Sequence, residues 1–273
     1  MKRLLCLHIL LLGVINTFAQ GALDKLIQAE NTFAEATRAP GSMKQSFLHV
    51  LDSAALVFDE GQPHNAVAAY GSFPDTGSTT LHWWPVIAAV SADGQLGYTS
   101  GPFTFSMPGA NGGAPFKTNG YYFSVWKQDS HQTFKLLLDG GTMIPADWDT
   151  AAPKITDGSG IVTTAKPARD KRSFEQAIDV FTQQAANNAP AAYKRFLAAT
   201  PYVLHNGQSP TYERNAALQR MTAATMETTN EHHALAASQD FGYSFGQSGK
   251  MFFIRIWIYE NDHWKILAEI RSA

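Results

Sequence analysis

Two kinds of hydrophobic periodicity alternate along this chain, and the alternation occurs twice. Leu23, Leu26, Ile27, Phe33 and Ala34 recur at three- and four-residue spacing, which predicts an amphipathic helix over Ala22 to Arg38, ended by Pro40-Gly41. Ser42 then stands as N-cap of a second helix, Met43 to Leu51, with Phe47, Leu48 and Leu51 on its apolar side. A short strand, Ala55 to Phe58, leads into the Asp59-Glu60-Gly61 turn, a short helix covers Asn65 to Tyr70, and Phe73 to Thr80 reads as loop. From there the period drops to two. Strands are expected over Trp83 to Ser91, Gln95 to Phe105, Gly120 to Gln128 and Thr133 to Asp139. Ala92-Asp93-Gly94 and Asp129-Ser130-His131 supply hairpin turns, and Met107 to Asn119 is a loop rich in Gly and Pro.

The order then repeats. Residues 141–172 change to Pro, Ala, Thr, Asp and Gly with little periodicity and read as a linker. Trp148, Ile155, Ile161 and Val162 are more apolar than a free linker needs, so part of it is expected to pack along a domain. Helices are predicted for Ser173 to Asn187, with Phe174, Ala177, Ile178 and Phe181 on one side, for Pro190 to Ala199, and for Glu213 to Met226. Strands are expected at Tyr202 to Leu204, His232 to Ala237, Asp240 to Phe245, Lys250 to Tyr259 and Trp264 to Ile270.

Residue likeness accompanies the repeated order. Leu96-Gly97-Tyr98-Thr99-Ser100-Gly101 reappears as Phe241-Gly242-Tyr243-Ser244-Phe245-Gly246, and Tyr122 to Lys127 as Phe253 to Ile258. Phe134 to Asp139 likewise matches Trp264 to Glu269. The 273 residues therefore divide into two copies of one fold, residues 22–140 and 173–273, with residues 1–20 set apart. The matched glycines, Gly97 with Gly242 and Gly101 with Gly246, are expected to mark bulges that bend long strands.

Composition narrows the function classes. Lys2 and Arg3 precede an apolar run, Leu4 to Val14, too short to span a bilayer comfortably, and Thr17-Phe18-Ala19 supplies small residues for a signal peptidase. Residues 1–20 are thus expected to be a signal peptide removed near Ala19 or Gln20, leaving a secreted or periplasmic protein without a membrane segment. Cys6, the only cysteine, lies in that leader, which excludes disulfides, thiolate metal sites and a cysteine nucleophile from the mature chain. With 21 Lys+Arg against 23 Asp+Glu, a net charge of −2 and no basic cluster, a nucleic-acid partner is not expected. Hydrophobic residues make up 45%, enough for each half to bury its own core. No phosphate loop, Gly-x-Ser-x-Gly elbow or redox motif is present, so no cofactor is implied.

Two helices, a short strand, a third small helix and then a four-strand antiparallel meander ending in a Trp-Lys-hydrophobic strand form a recognisable order. With Leu81-His82-Trp83-Trp84-Pro85, Gly97 to Gly101, Tyr121 to Lys127 and Lys135 to Asp139, it resembles the nuclear-transport-factor-2-like superfamily, including SnoaL-like and ketosteroid-isomerase-like domains. The resemblance covers nearly all of the chain except the leader and linker. It implies an α+β protein of two tandem cone-shaped domains, each a curled antiparallel sheet packed on about three N-terminal helices and enclosing an apolar pocket. It also implies sheet-to-sheet pairing, as an internal pseudo-dimer or a homodimer. Members of the superfamily isomerise, dehydrate, cyclise or hydrolyse epoxides, and many only bind; the catalytic sets of those enzymes find no residue-by-residue match here.

Candidate site residues come from the strands. Trp83, Trp84, Tyr98 and Tyr122 place large rings on consecutive strands, where they line a pocket for a flat apolar ligand or simply pack a core. Alternation puts Trp83 and Trp84 on opposite faces. His82 and the pair His232-His233 are histidines on strands, either general bases or surface and core residues, and no metal-ligand spacing accompanies them. Asp139 and Glu269 hold matching places. Each is either a carboxyl at a pocket mouth that shuttles a proton or, sharing a face with Lys135 and Leu137 or with Lys265 and Leu267, part of a solvated sheet surface. Arg255, set among Phe253, Ile254, Ile256 and Trp257, needs a carboxylate partner or a ligand anion. Tyr202, His205 and Tyr243 complete the polar residues of the second copy. Three functions remain open: binding of a small apolar or aromatic molecule in a cone, a cofactor-independent isomerase or dehydratase using Asp139 or His82 with Tyr98, and a scaffold with filled cones.

Overall fold

The structure, a computed structural model, describes residues 20–73, 78–109, 113–144, 161–162, 172–223 and 225–273. Residues 1–19, expected to be a leader and including Cys6, lie outside the described residues, as do Trp148 and Ile155. No described helix is long and apolar enough to cross a membrane.

Helix α1 (residues 20–36) and α2 (Met43–Val50) precede β1 (Leu51–Asp59), β2 (Gln62–Asn65) and α3 (Ala66–Ser72). Strands β3 (Thr80–Trp83), β4 (Ile87–Val90), β5 (Leu96–Met107), β6 (Phe116–Gln128), β7 (Phe134–Ile144) and β8 (Ile161–Val162) come next. The second half runs α4 (Arg172–Phe196), β9 (Leu197–His205), α5 (Arg214–Arg220), β10 (Thr229–Leu235), β11 (Phe241–Ser248), β12 (Met251–Glu260) and β13 (His263–Ser272). Within the first sheet the order β1-β7-β6-β5-β4 reproduces the second sheet's order β9-β13-β12-β11-β10, element for element. The fold is α+β with two curled sheets, each carrying its helices on one face. The meanders are antiparallel, and in both sheets the first strand joins parallel to the last, β1 to β7 and β9 to β13.

Several local expectations change. Trp83 to Ser91 is two strands, because Pro85 has no N–H to give a ladder and the chain from Trp84 to Val86 rides over Gly101. Both pieces pair with β5 on either side of that glycine, where a Cβ would strike the Trp84 carbonyl. Ser42 does not cap α2; its hydroxyl donates back to the carbonyls of Ala36 and Ala39. The two predicted helices of the second copy form one run, kinked at Asn188 (φ −156°, ψ 87°), whose side chain accepts from Ala191 N and restarts the helix ahead of Pro190. The third helix is shorter than predicted and ends at Arg220. From the linker, Ile161–Val162 adds β8 alongside β4.

The glycine expectation holds on one side of the strands only: β10 shifts register against β11 between Thr229 and His232, opposite Gly246, and the chain from Trp83 to Ile87 carries one extra residue opposite Gly101, whereas β5 pairs with β6 and β11 with β12 without interruption. Gly97 and Gly242 instead allow close packing, since a Cβ there would meet Leu26 and Phe174 of the helices and the carbonyls of Ala89 and Ala234. Two further bulges lie two strands away, on β7 and β13. Val125 and Trp126 oppose Leu138 and Leu136, so Leu137 is the extra residue; Ile256 and Trp257 oppose Ala268 and Ile266, so Leu267 is its counterpart. A bulge reverses which residues face which side. Leu136 and Ile266 therefore pack on the helices, whereas Leu138 and Ala268, two residues later, face the other way.

Three cores result. One lies between α1–α3 and the first sheet, around Phe33, Phe47, Trp83 and Trp126. Its counterpart lies between α4–α5 and the second sheet, around Phe174, Phe181, Tyr193 and Trp257. The third lies between the sheets and draws Tyr98, Phe123 and Leu138 from one, Tyr202, Phe252 and Ile254 from the other. Phe58 locks this seam by stacking on Phe252 (4.8 Å between centroids) and meeting Phe245 edge-on (5.5 Å). At one end of the seam Ala92 N donates to Asp240 while Ser238 N donates to Asp93, a reciprocal exchange between matching hairpin turns. At the other end the β1–β2 turn presses Gly61 (φ +74°) against the Lys250 carbonyl.

Gly61 and Gly207 share φ +74°, but only Gly61 has a neighbour within 4 Å. Gly207→Ala is expected to cost the left-handed penalty alone, about 1–2 kcal/mol. Gly61→Ala should lose a further ~1–3 kcal/mol because the seam must open. Urea unfolding of the two variants beside the parent measures the difference.

Candidate functional site

The bulge at Leu137 turns Asp139 into the first cone. There Asp139 Oδ2 accepts from the Tyr70 hydroxyl at 2.6 Å, and Ser124 Oγ lies 3.4 Å from Oδ1. Tyr70 comes from the last full turn of α3, a helix that Asn65 caps by accepting from Ala68 N, and its ring stacks on Phe47 at 4.0 Å. A second acid reaches the same space from α1. Glu30 is 1% exposed, and its carboxylate accepts from Trp83 Nε1 (2.6 Å), Thr99 Oγ1 (2.6 Å) and Trp126 Nε1 (3.0 Å). Both indoles are donors only, so the two tryptophans hold the carboxyl group by orientation as well as by apolar contact.

Burial decides the protonation of both acids. Desolvation raises Glu30 to about 7, against the lowering effect of its hydrogen bonds from Thr99, Trp83 and Trp126, and nearby Asp139 adds to the rise. Desolvation likewise raises Asp139 to about 6, although Tyr70 and Ser124 favour the ionised form. Asp139 keeps part of its surface open toward a cavity of about 260 Å³, which also touches Glu30, Tyr70 and Ser124. Phe33, Phe47, Val57, Leu81, Phe103 and Tyr122 form its apolar walls. The Tyr122 hydroxyl is buried without a hydrogen bond. Thr99 lies near it, and its Oγ1 donates to Glu30 and accepts from Trp126. Burial holds Tyr70 and Tyr122 well above the usual phenol range, so both remain donors near neutrality.

Among the described residues, an ion pair fills the place in the second cone that corresponds to Ser124 and Asp139 in the first. Arg255 and Glu269, both fully buried, occupy the register places held by Ser124 and Asp139. Arg255 Nε donates to Glu269 Oε2 at 2.7 Å, Nη1 approaches Glu231 at 3.5 Å, and the guanidinium lies over Phe253 (3.7 Å) and Phe181 (4.7 Å). Tyr193 donates to Glu269 at 2.7 Å and His205 Nε2 lies 3.5 Å from it. Burial works to raise Glu269, but Arg255 beside it, with His205 and Arg271, brings it down to about 2. Burial also works to lower Arg255, and Tyr193, Glu269 and Glu231 more than offset it. The partner that Arg255 requires is therefore a carboxylate of its own chain.

Of the sequence candidates, Asp139, Trp83 and Tyr122 meet in the first cone, and Arg255, Glu269 and His205 in the second. Asp139 and Glu269 do not belong to a solvated sheet face with Lys135 and Lys265, because the bulges intervene. Tyr98, Tyr202 and Tyr243 are not in a cone at all: their strands present these positions to the seam between the sheets. Tyr98 stacks on Phe123 there (5.3 Å), so it is not the hydrogen-bond donor to pair with Asp139; Tyr70 takes that place. His82 is exposed on β3 outside the cavity lining, and Trp84 sits half-buried away from it. His233 lies near Glu175 and His232 stacks on Phe245. The residues that sequence reasoning missed are Glu30, Tyr70 and Ser124. Glu30 had a signal, since it falls on the apolar stripe of α1 between Ile27 and Phe33. A wider groove of about 700 Å³ runs between α1, α2 and the β6–β7 turn, past Lys25, Gln28 and His49, but its lining contains no buried acid or base.

No family model and no curated protein matches the chain. Solved structures do resemble it over single domains. A conserved protein from Planctomyces limnophilus is 16% identical, with 44% of this chain and 98% of that one covered and a TM-score of 0.36. An NTF2-like protein of unknown function from Pseudomonas putida is 15% identical, with 38% and 85% covered and a TM-score of 0.33. An NTF2-like protein from Cytophaga hutchinsonii is 9% identical, with 38% and 98% covered and a TM-score of 0.30. At these identities and TM-scores the neighbours bear on neither the family nor the chemistry of this chain.

The raised acids make stability depend on pH. Glu30 and Asp139 bind protons more tightly folded (about 7 and about 6) than unfolded (4.5 and 3.8). Stability is therefore expected to fall as pH rises through the window between those values, the reverse of the usual carboxylate behaviour. Asp139→Asn should flatten that slope, most clearly between about pH 4 and 6. Urea midpoints at a series of pH values test this, and a slope unchanged by the substitution would contradict it.

Proposed function

We propose that the first cone binds a small, largely apolar molecule carrying one hydrogen-bond acceptor such as a carbonyl, while the second domain has become structural. The observation that carries this reading is an unpaired buried phenol, Tyr122, on the wall of the cavity that Asp139 also faces. A buried donor without a partner is unfavourable by about 1–3 kcal/mol, and an acceptor on a ligand would remove that cost. Aromatic walls suit a flat ring system. The packed Arg255–Glu269 pair supports the assignment of binding to the first domain alone. The seam core supports reading the two domains as an internal pseudo-dimer.

Isomerase- or dehydratase-type proton transfer is the second reading, favoured by the raised Asp139. In its ionised form Asp139 would take a proton from the carbon beside a ligand carbonyl. The C–H electron pair moves into the new carbon–carbon double bond and the carbonyl pair onto oxygen, where the Tyr122 hydroxyl stabilises the charge. Return of the proton from Asp139 to another carbon would complete an isomerisation. A carboxyl at about 6 is near the strength at which an acid both accepts and returns a proton close to neutrality.

One experiment reads both. β-Tetralone, a two-ring ketone with acidic C–H bonds beside its carbonyl, is titrated into the protein in deuterated buffer and followed by NMR. Saturable binding is expected. Tyr122→Phe should weaken it about fivefold, the value of one hydrogen bond, while Tyr98→Phe, which removes an equally buried phenol from the seam, leaves it unchanged. Deuterium entry beside the carbonyl should rise with pH through about 6 and disappear in Asp139→Asn. Binding without exchange leaves the ligand-binding function and removes the enzyme; no binding removes both.

The basic start and apolar run of residues 1–20 support an exported protein. After cell fractionation the protein should be found outside the cytoplasm with the intact mass of a chain starting near Gln20 or Gly21, and recovery only from the cytoplasm as a chain starting at Met1 would contradict export.

A further inference from the structure

The cavity of the first cone is not closed by the first domain. Where β1 and β7 end, its wall passes to the second domain through Phe252 on β12 and Ser272 on β13, which are register partners. Phe252 is 1% exposed and stacks on Phe58, itself part of the lining. The ring reaches this place because position 140 has no side chain: a Cβ on Gly140 would lie 3.2 Å from Phe252 Cε2 and Cζ. Gly140 also lines the cavity, so the glycine is the opening in the sheet through which the second domain's ring becomes a wall.

The surrounding seam fixes that wall in position. Gly207 N, in the turn after β9, donates to the Met143 carbonyl at 2.8 Å, and Asn206 Oδ1 accepts from Met143 N at 3.1 Å. Met143 stands half-exposed at the cavity mouth. Gln247 Nε2 donates to the Gly61 carbonyl at 2.8 Å, and Gly61 comes two residues after β1. Both strand ends that frame the mouth are thus hydrogen-bonded to turns or strands of the second domain. A rigid ring in the wall of an apolar cavity of about 260 Å³ limits how large a ligand can be.

We infer that the ligand site is composite, and that Phe252 of the second domain is a specificity-determining residue that limits the size of the flat apolar ligand held in the first. The inference rests on the reading of this cavity as a binding site. It also explains the retention of a second domain in which a buried ion pair takes the place of the open acid.

The test compares β-tetralone with its three-ring, benzo-fused homologue, using dissociation constants for each with the full chain. Phe252→Ala should move the ratio of the two constants toward the larger ketone by about tenfold or more. Phe252→Leu, a milder change, should move it in the same direction and serves if the alanine variant does not fold. Phe181→Ala provides the control: it opens a cavity in the second cone, away from the site, and should leave the ratio unchanged. A parent protein that binds β-tetralone, with a ratio unmoved by both Phe252 variants, overturns the inference while the binding function stands. The same shift in Phe181→Ala also overturns it, because loosening of the second domain would then be the cause. A parent that binds neither ketone removes the binding function and this inference together.

Discussion

One extra residue in each of two matching strands governs the chemistry of this molecule. Leu137 and Leu267 are bulges next to the central strand of each sheet, and each reverses the inside–outside alternation of the residues beyond it. Without the bulge, Asp139 would point toward the seam, an apolar layer in which a lone carboxyl group has no partner. With it, Asp139 and Glu269 enter the cones, and Leu138 and Ala268 join the apolar seam. The same local irregularity therefore serves both requirements: a seam apolar enough to hold two sheets together and a cone interior that contains an acid.

Once placed, the two acids diverge because of the residue opposite. Asp139 faces Ser124, a short side chain that leaves space; Glu269 faces Arg255, a long cation that fills it. The consequences run in opposite directions. Arg255 holds Glu269 near 2 and ionised, a closed pair whose donors and acceptors are largely satisfied within the protein. Asp139, hydrogen-bonded by the hydroxyl groups of Tyr70 and Ser124 and without a cation opposite, is raised by burial to about 6 and remains partly open to a cavity. A buried ion pair is a modest contributor to stability and a strong constraint on arrangement, which suits a domain whose task is to stand behind another. The difference between an open and a packed cone is thus carried chiefly by one position on β6 and β12.

The seam gives the pair its mechanical unity. Phe58 on Phe252, the reciprocal Asp93 and Asp240 bonds, and the Gly61 turn under Lys250 join the sheets at both ends and the middle. Tyr98, Tyr202 and Tyr243 belong to this layer. Their place in the strands resembles that of pocket residues, and only the facing sheet distinguishes the two, since a single isolated cone would expose these rings to water. Sequence periodicity reports that a face is buried and is silent on what buries it.

The amino-acid sequence by itself determined the duplication, most of the order of helices and strands, and the α+β class. These come from short-range periodicity and from internal likeness, both of which are local properties of the chain. Glu30 on the apolar stripe of α1 was equally legible, as a charged residue where a leucine belongs. What only the tertiary structure decided is which side of each sheet is inside a cone. That depends on Leu137 and Leu267, whose bulges arise from pairing with partner strands and leave no mark in composition. It likewise decided that Tyr70 meets Asp139 across 69 residues and that Phe252 meets Gly140 across the seam, because contacts between distant segments are set by packing, which no single stretch of sequence contains.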